Sequence, residues 1–213
     1  MIINLNRLHP SSSQTHRLSR FLATGRPVIL PTETQYALAC DATSKSAIDA
    51  VRAIKGRQPS AAFSVFLPGV EELKHWRIGC PDYAKLLADQ FWPGPLTLIL
   101  PTQNPIFQLL GGDGRSVGVR CTPERIITML LNEIKRPLVA TSANPTGVVM
   151  NARDENRWLS QRVKAKELVW AKPERFVRRP ASTIIDCTGK VPRELRPGSI
   201  SKAAWNAALH SNV

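Results

Sequence analysis

Residues 27–67 read PVILPTETQYALACDATSKSAIDAVRAIKGRQPSAAFSVFL, and the pattern in this stretch decides the fold class. The run 27–32 is short and apolar, which predicts a buried strand. Residues 43–56 carry apolar side chains at helical spacing, begin with a Thr-Ser pair that suits an N-cap and end on glycine, so they predict a helix. Residues 62–67 predict a second strand. A strand, a helix and a strand in succession indicate an α/β domain.

The same alternation continues toward the C-terminus. Four more strands are predicted, within 93–101 and at 116–121, 137–142 and 182–187. Prolines and hydroxyl residues mark the helix starts, which we place at Pro81, at the pair Thr122–Pro123, and at Ser199 or Ser201. We interpret 148–180 as an excursion from the main sheet. No linker interrupts the pattern, so residues 1–213 are predicted to form one domain.

The charge balance favours a phosphate-bearing partner. The 213 residues include 29 Lys+Arg against 16 Asp+Glu, a formal net charge of +13. This excludes an acidic disordered tail and leaves nucleotide, RNA and anionic membrane open. Residues 151–180 hold nine basic and four acidic residues. This composition is equally consistent with a solvated helix face followed by a loop and with an anion-binding surface. Trp158, Trp170 and Phe176 there suit either base stacking or core packing.

The expected compartment is the cytoplasm. No apolar run reaches the roughly 18 residues that a membrane span needs, and the N-terminus lacks the features of a signal peptide. The four cysteines form no CxxC pair and three lie in apolar runs, which predicts reduced, mostly buried thiols and no clustered metal site. We therefore expect no membrane partner.

The candidate functional residues are polar side chains at the ends of predicted strands and of one helix. No GxSxG nucleophile motif and no phosphate-binding GK[ST] loop is present. In an open α/β sheet the ligand crevice lies beside strand ends. The cations and hydroxyls there suit an anionic ligand such as a nucleotide or an amino acid. These residues are Thr32, Thr34, Lys55, Arg57, Arg120, Thr141, Ser142, Asn144, Ser182 and Arg196.

Seven ordered blocks give these residues a context. PTETQYALACDA, IKGR, FWPGPLTLIL, VGVR, ATSANPTG, STIID and LRPGSIS occur in this order between residues 31 and 201, about four fifths of the chain. Together they resemble the YrdC/YciO family. The resemblance implies a twisted, mostly parallel or mixed sheet flanked by helices, with a concave basic face. It is closest to the single-domain form.

The resemblance also implies an activity. The best understood members are threonylcarbamoyl-AMP synthases, nucleotidyltransferases that join L-threonine, bicarbonate and ATP into threonylcarbamoyl-AMP and pyrophosphate for tRNA modification. On this interpretation ATP, L-threonine and bicarbonate are the substrates, and Mg²⁺ arrives with ATP, held largely by phosphate oxygens. No resident metal site is expected. Transfer RNA, double-stranded RNA and other tRNA-modification proteins are further candidate partners.

Family motifs assign a role to each candidate residue. Lys55 and Arg57 match the KxR pair, and Ser142 and Asn144 match the SxN pair, around the phosphates; these four are the predicted catalytic residues. Arg120 is similar to the arginine that holds the threonine carboxylate. The remaining roles are amino-acid binding for Thr32, Thr34 and Ser182, and nucleotide binding for Ser116 and Arg196 together with Lys55, Arg57 and Ser142.

Two departures from the synthase pattern keep other functions open. Synthases read YGL where this chain has Tyr36-Ala37-Leu38, and the position of a histidine that faces their threonine site falls on Phe66. Both features are more similar to the YciO branch. Replacing an imidazole by apolar bulk removes a hydrogen bond and changes substrate preference. The alternatives are a nucleotide-binding paralogue with another substrate, and an RNA-binding protein of the same fold.

Overall fold

A computed structural model describes residues 1–210, and its framework is one ten-stranded sheet. The strands run in the order β1-β8-β2-β3-β7-β4-β6-β5-β9-β10. Four of the nine neighbouring pairs are parallel and five are antiparallel, so the sheet is mixed. The strand bounds are β1 Ile2–Leu5, β2 Val28–Leu30, β3 Ala37–Ala39, β4 Ser64–Phe66, β5 Leu96–Pro101, β6 Ser116–Arg120, β7 Leu138–Ser142, β8 Val169–Pro173, β9 Thr183–Asp186 and β10 Arg193–Arg196.

Seven α-helices and one 3₁₀ helix flank the sheet within the described residues, which confirms the predicted α/β class. The α-helices are α1 Ser12–Ala23, α2 Lys45–Lys55, α3 Glu72–His75, α4 Asp82–Phe91, α5 Arg125–Ile134, α6 Ala152–Lys164 and α7 Lys202–His210. The 3₁₀ helix is Pro105–Leu110. The prediction of one domain extends to residue 213, and residues 211–213 lie outside the described part.

Helix α2 follows its sequence signals closely. The Ser44 side chain accepts a hydrogen bond from the backbone N–H of Ala47, and Gly56 ends the helix in the left-handed conformation with φ of 60°. Helix α5 differs from its prediction. It begins at Arg125, and the backbone N–H of Glu124 donates to the Thr122 hydroxyl at 3.3 Å in the turn before the helix. The Thr122 hydroxyl donates to Oε2 of Glu33 at 2.6 Å, so this side chain makes a tertiary contact and is not the helix cap.

Seven elements were not predicted: strands β1, β3, β8 and β10, helices α1 and α3, and the 3₁₀ helix. One of them, β8, corrects the prediction for 148–180. Strand β8 lies inside that range and pairs with both β1 and β2, so it is part of the main sheet. Strand β1 and helix α1 at the N-terminus were also missed. Helix α1 carries a capping box in which Ser11 and Gln14 bond each other's backbone, a signal the sequence contains.

Alternate residues of the strands face two different layers. One face carries Leu98, Val119 and Val139 and is covered by α2, α4, α6, α7 and the 3₁₀ helix. On the opposite face, α1 and α5 cover β1, β8, β2 and β3. The outward residues of β5, β6 and β9 on that face line an open cavity instead. Because helices cover only part of this face, a ligand can bind on the uncovered part.

Packing also places the aromatic residues of the basic stretch. Trp158 and Trp170 are 9% and 1% exposed and belong to the core, and Phe176 stacks on Tyr36 with ring centroids 3.8 Å apart. The two tryptophans are core residues, so base stacking by them is excluded, whereas Phe176 is partly buried and packs against the core. Within residues 1–210, no helix combines the length and the apolar character that crossing a bilayer requires.

Candidate active site

A cavity of about 350 Å³ lies on the uncovered half of the sheet. Eight of the ten site residues predicted from motifs line it: Thr32, Thr34, Arg57, Ser116, Arg120, Ser142, Ser182 and Arg196. Thr141 lines it as well. Among the residues that the structure describes, three arginines and no carboxylate line this space. Residues up to 164 positions apart in the chain thus meet at one surface, because alternate positions on neighbouring strands point the same way.

Lys55 lies behind the cavity wall rather than in its lining. It is 3% exposed, and its ammonium group donates to the backbone oxygens of Ser142 at 2.5 Å and Asn144 at 2.7 Å. Burial and the neighbouring charge of Arg57 lower the pKa of Lys55 to about 7. Lys55 therefore ties the end of α2 to the loop that follows β7.

The same loop holds the second motif pair. The Ser142 hydroxyl donates to Oδ1 of Asn144 at 2.5 Å, and Nδ2 of Asn144 donates to the backbone oxygen of Val148 at 2.5 Å. Asn144 does not line the cavity, whereas Ser142 does. Asn144 thus orients the hydroxyl that faces the ligand space.

Arg57 is fixed at the cavity rim by its own loop. Its Nη2 donates to the backbone oxygen of Ala62 at 2.6 Å, and its guanidinium lies 4.9 Å from the centre of the Phe63 ring. Arg52 contacts the same ring at 4.6 Å and binds the backbone oxygens of Gln58, Ala61 and Leu110. Burial, followed by the charge of Arg52, lowers the pKa of Arg57. Arg52 therefore holds the loop in place, and the loop places Arg57 at the cavity.

Arg120 has protein partners on one side only. Its Nη2 donates to Oε1 of Glu33 at 2.6 Å and to the Thr34 hydroxyl at 2.9 Å. Its Nε is buried and has no hydrogen-bond partner in the described residues. The Thr34 hydroxyl in turn lies 3.0 Å from the Thr32 hydroxyl. Nη1 of Arg120 also has no partner in the described residues and is not buried, so it is the donor left for a ligand.

Arg196 is held by the segment before β9. Its Nη2 donates to the backbone oxygen of Ser182 at 2.8 Å and to the Ser182 hydroxyl at 3.1 Å. The Ser182 hydroxyl also lies 2.9 Å from that of Thr97. Burial and the charge of Arg120 lower the pKa of Arg196. The positive charges of Arg120 and Arg196 thus repel each other, and a bound anion would offset that repulsion.

Ser116 begins β6, the strand that Arg120 ends, and it also lines the cavity. Its hydroxyl donates to Oδ1 of Asp113 at 3.0 Å, and Asp113 also accepts the backbone N–H of Ser116 at 3.1 Å. The Asp113 side chain closes the turn between the glycine-rich loop and β6. Ser116 is held at the cavity edge by this turn.

Sequence reasoning missed three residues of the site. Glu33 pairs with Arg120, Thr97 bonds Ser182, and Gly118 leaves space in the floor, since a Cβ there would lie 2.4 Å from Oγ of Ser64. Thr97 could have been identified from the sequence, because it is a lone hydroxyl residue between two leucines of a predicted strand. Glu33 lies between two threonines that were selected, and nothing local marked it as the partner of a distant arginine.

Comparisons with known proteins agree with this geometry. The family model Sua5_yciO_yrdC, described as telomere recombination, matches residues 20–198. The chain belongs to the Sua5/YciO/YrdC family. A Mycobacterium tuberculosis protein named putative threonylcarbamoyl-AMP synthase is 31% identical over 183 residues, which cover 84% of this chain and 82% of that protein.

Other relatives are longer than this chain. Proteins named threonylcarbamoyl-AMP synthase from Pyrococcus abyssi and Bacillus subtilis are 34% and 27% identical over 127 and 205 residues. The matches cover 60% and 96% of this chain but only 37% and 59% of those proteins. This member of the family thus spans about half the length of these two curated relatives.

Solved structures show the same fold. Pyrococcus abyssi Sua5 complexed with L-threonine superposes with a TM-score of 0.84 at 27% identity, covering 98% of this chain and 60% of that one. Escherichia coli YciO superposes with a TM-score of 0.81 at 20% identity, covering 93% and 96%. The second similarity concerns the fold alone.

Proposed function

We propose that the chain is an L-threonylcarbamoyladenylate synthase, which forms threonylcarbamoyl-AMP and pyrophosphate from L-threonine, bicarbonate and ATP. One observation carries the proposal: eight motif residues from separate parts of the chain line one cavity whose charged lining residues are arginines. Family membership adds support, since relatives over the same residues bear the synthase name.

The distribution of donors supports two subsites. The unpartnered Nη1 of Arg120, with the hydroxyls of Thr34 and Thr32 near the same guanidinium, suits the carboxylate and polar groups of an amino acid. Arg57 and Ser142 suit phosphate oxygens, because they combine a cation with a hydroxyl at one rim. A ligand spanning both ends would carry an amino acid and a nucleotide.

The reaction we propose needs no protein nucleophile. The threonine amine attacks the bicarbonate carbon, water leaves, and a carbamate remains. A carbamate oxygen then attacks the α-phosphorus of ATP, and pyrophosphate leaves. No cysteine, histidine or carboxylate lines the described cavity. The residues would therefore act by position and by positive charge, which stabilise the negative charge that develops at phosphorus.

We propose that Mg²⁺ enters as a complex with ATP. No group of three or more His, Cys, Asp or Glu residues within 1–210 is arranged to hold a metal, and the cavity lining offers hydroxyl and carbonyl oxygens only. This donor set fits an ion held mainly by phosphate oxygens. When bound, the ion would neutralise phosphate charge, while Arg57 orients the same phosphates.

Pyrophosphate release tests the proposed activity. We expect release from ATP only when L-threonine and bicarbonate are both present. Arg120→Gln should lower it by about 100-fold, because the carboxylate loses its charged donor. Arg193→Gln is the matched control, since Arg193 pairs with Asp186 outside the cavity lining, and should retain activity. ATP binding without threonine-dependent release contradicts the synthase proposal.

We further propose a cytoplasmic role in tRNA modification, with tRNA and other modification proteins as partners. Seven basic side chains of 151–180 are exposed, which supports contact with phosphates. The unpaired cysteines Cys40, Cys80, Cys121 and Cys187 support a reducing compartment.

A further inference from the structure

Arg120 is the most buried of the three arginines that line the cavity. It is 8% exposed, and its guanidinium lies 5.9 Å from the centre of the Phe66 ring. A buried guanidinium needs an anionic partner, since an unpaired charge is costly to bury. That partner is Glu33, which comes from the turn after β2, whereas Arg120 ends β6.

Glu33 is itself held from two sides. Its Oε1 accepts from Nη2 of Arg120 at 2.6 Å, and its Oε2 accepts from the Thr122 hydroxyl at 2.6 Å. Thr122 is 4% exposed, and its hydroxyl also accepts from the backbone N–H of Glu124. With both oxygens engaged and no place in the cavity lining, the Glu33 carboxylate is not available to a ligand.

This arrangement decides which edge of Arg120 is free. The two hydrogens of Nη2 are directed at Glu33 and at the Thr34 hydroxyl. Of the remaining donors, Nε is buried without an acceptor within residues 1–210. Nη1 has no protein partner there and is not buried, so Nη1 is the donor that opens on the cavity. Because Nη2 is fully engaged by protein groups, a carboxylate in the cavity would be bound through the charged Nη1 donors.

We propose that Glu33, backed by Thr122, is a positioning residue that fixes the rotation of the Arg120 guanidinium so that its Nη1 donors meet the carboxylate of the amino-acid substrate. This rests on the proposed function for the identity of the ligand. Glu33 touches neither substrate nor reacting atoms. Its effect on binding passes through Arg120.

Paired variants separate positioning from charge. Glu33→Ala removes both contacts, and we expect it to weaken L-threonine binding by about 10- to 100-fold while ATP binding changes by less than about twofold. Glu33→Gln keeps an acceptor for Arg120 and a donor for Thr122, and should retain most of the affinity. Asp186→Ala removes a carboxylate from an ion pair outside the cavity lining and should leave threonine binding unchanged.

The Arg120 Nε–H resonance gives a readout that needs no ligand. In the ¹⁵N spectrum it is assigned by its loss in Arg120→Lys. We expect a sharp, slowly exchanging signal in the wild type and in Glu33→Gln, and a broadened or rapidly exchanging one in Glu33→Ala. If Glu33→Ala does not fold, Thr122→Val removes one contact without leaving Arg120 unpaired and should broaden the signal partly.

Two results would overturn the positioning role of Glu33. An unchanged Nε–H signal in Glu33→Ala and Thr122→Val overturns it, as does threonine binding by Glu33→Ala at or above wild-type strength. A wild type that binds no threonine, but whose Nε–H signal responds to Glu33→Ala, supports the positioning role and rejects the proposed substrate.

Discussion

At the residue scale, Lys55 is a basic group held almost entirely out of water. Its pKa falls from 10.5 to about 7 because burial and Arg57 disfavour the charged form. Between these two pH values the unfolded chain binds a proton that the folded chain does not. Stability therefore rises with pH across this window, and Lys55 adds no pH dependence well below pH 7.

This linkage predicts a pH-dependent stability difference. As pH increases from 7 to 9, the free energy of unfolding of the wild type should rise relative to Lys55→Met by up to about 1.4 kcal/mol per pH unit. Urea unfolding at pH 6, 7, 8 and 9 measures it. Curves for the two proteins that stay parallel over the whole range would contradict the lowered pKa.

Phe66 is one of the two positions that depart from the synthase pattern. It is 1% exposed, lines the cavity and lies beside Arg120. Phe66→His should lower the threonine concentration needed for half-maximal pyrophosphate release by about 2- to 10-fold, because one hydrogen-bond donor is added. Phe66→Leu, which stays apolar, is the control. Equal threonine dependence in both variants would count against a specificity role for this position.

At the element scale, the two ends of α2 have different roles. Ser44 caps the N-terminus, far along the helix from the motif pair, whereas Gly56 stands between Lys55 and Arg57 in a left-handed conformation. No heavy atom lies within 4 Å of a Cβ built at Gly56, so its substitution acts through backbone strain rather than through a clash. The helix C-terminus thus sets the direction of both cations.

Substitutions at these two ends should therefore differ in effect. Ser44→Ala and Gly56→Ala should each lower the free energy of unfolding by about 1 kcal/mol, through a lost cap and through strain respectively. Only Gly56→Ala should also lower pyrophosphate release, because it redirects Lys55 and Arg57. Thermal unfolding and the release assay measured together test this; equal activity in the two variants would show that the cap geometry is irrelevant to the site.

At the scale of the whole molecule, the net charge of +13 exceeds what the cavity uses. Three arginines line the cavity, while the exposed cations of 151–180 lie on α6, β8 and the segment after it. Because Trp158 and Trp170 are buried, they are not available to stack on bases, and the exposed cations of this stretch suit contact with phosphates.

Such contact predicts strong salt dependence. The affinity for tRNA should fall by about 10- to 1,000-fold between 50 and 200 mM salt, and replacing three exposed cations (Arg157, Lys164, Lys172) by Gln should reduce the slope by about 3. Filter binding or fluorescence anisotropy measures both. Affinity that is absent or independent of salt would remove tRNA as a direct partner.

The sequence by itself determined the α/β class, the cap and stop of α2, and ten of the residues now seen at or beside one cavity. These follow from local patterns and from ordered motifs, which need no knowledge of distant contacts. It did not determine strand order, the place of β8 between β1 and β2, or the start of α5 at Arg125. The first two depend on which segments pair across the sheet, and the third follows the contact of Thr122 with Glu33, which is distant in the chain.

Only the tertiary structure decided which side chains face the ligand and which support them. Lys55 and Asn144 stand behind the wall that Ser142 lines, and Glu33 reaches an arginine 87 positions away in the chain. The physical reason is that α1 and α5 cover just one half of a sheet face. The alternate residues of β5, β6 and β9 are left open to solvent by that packing, and no local pattern records it.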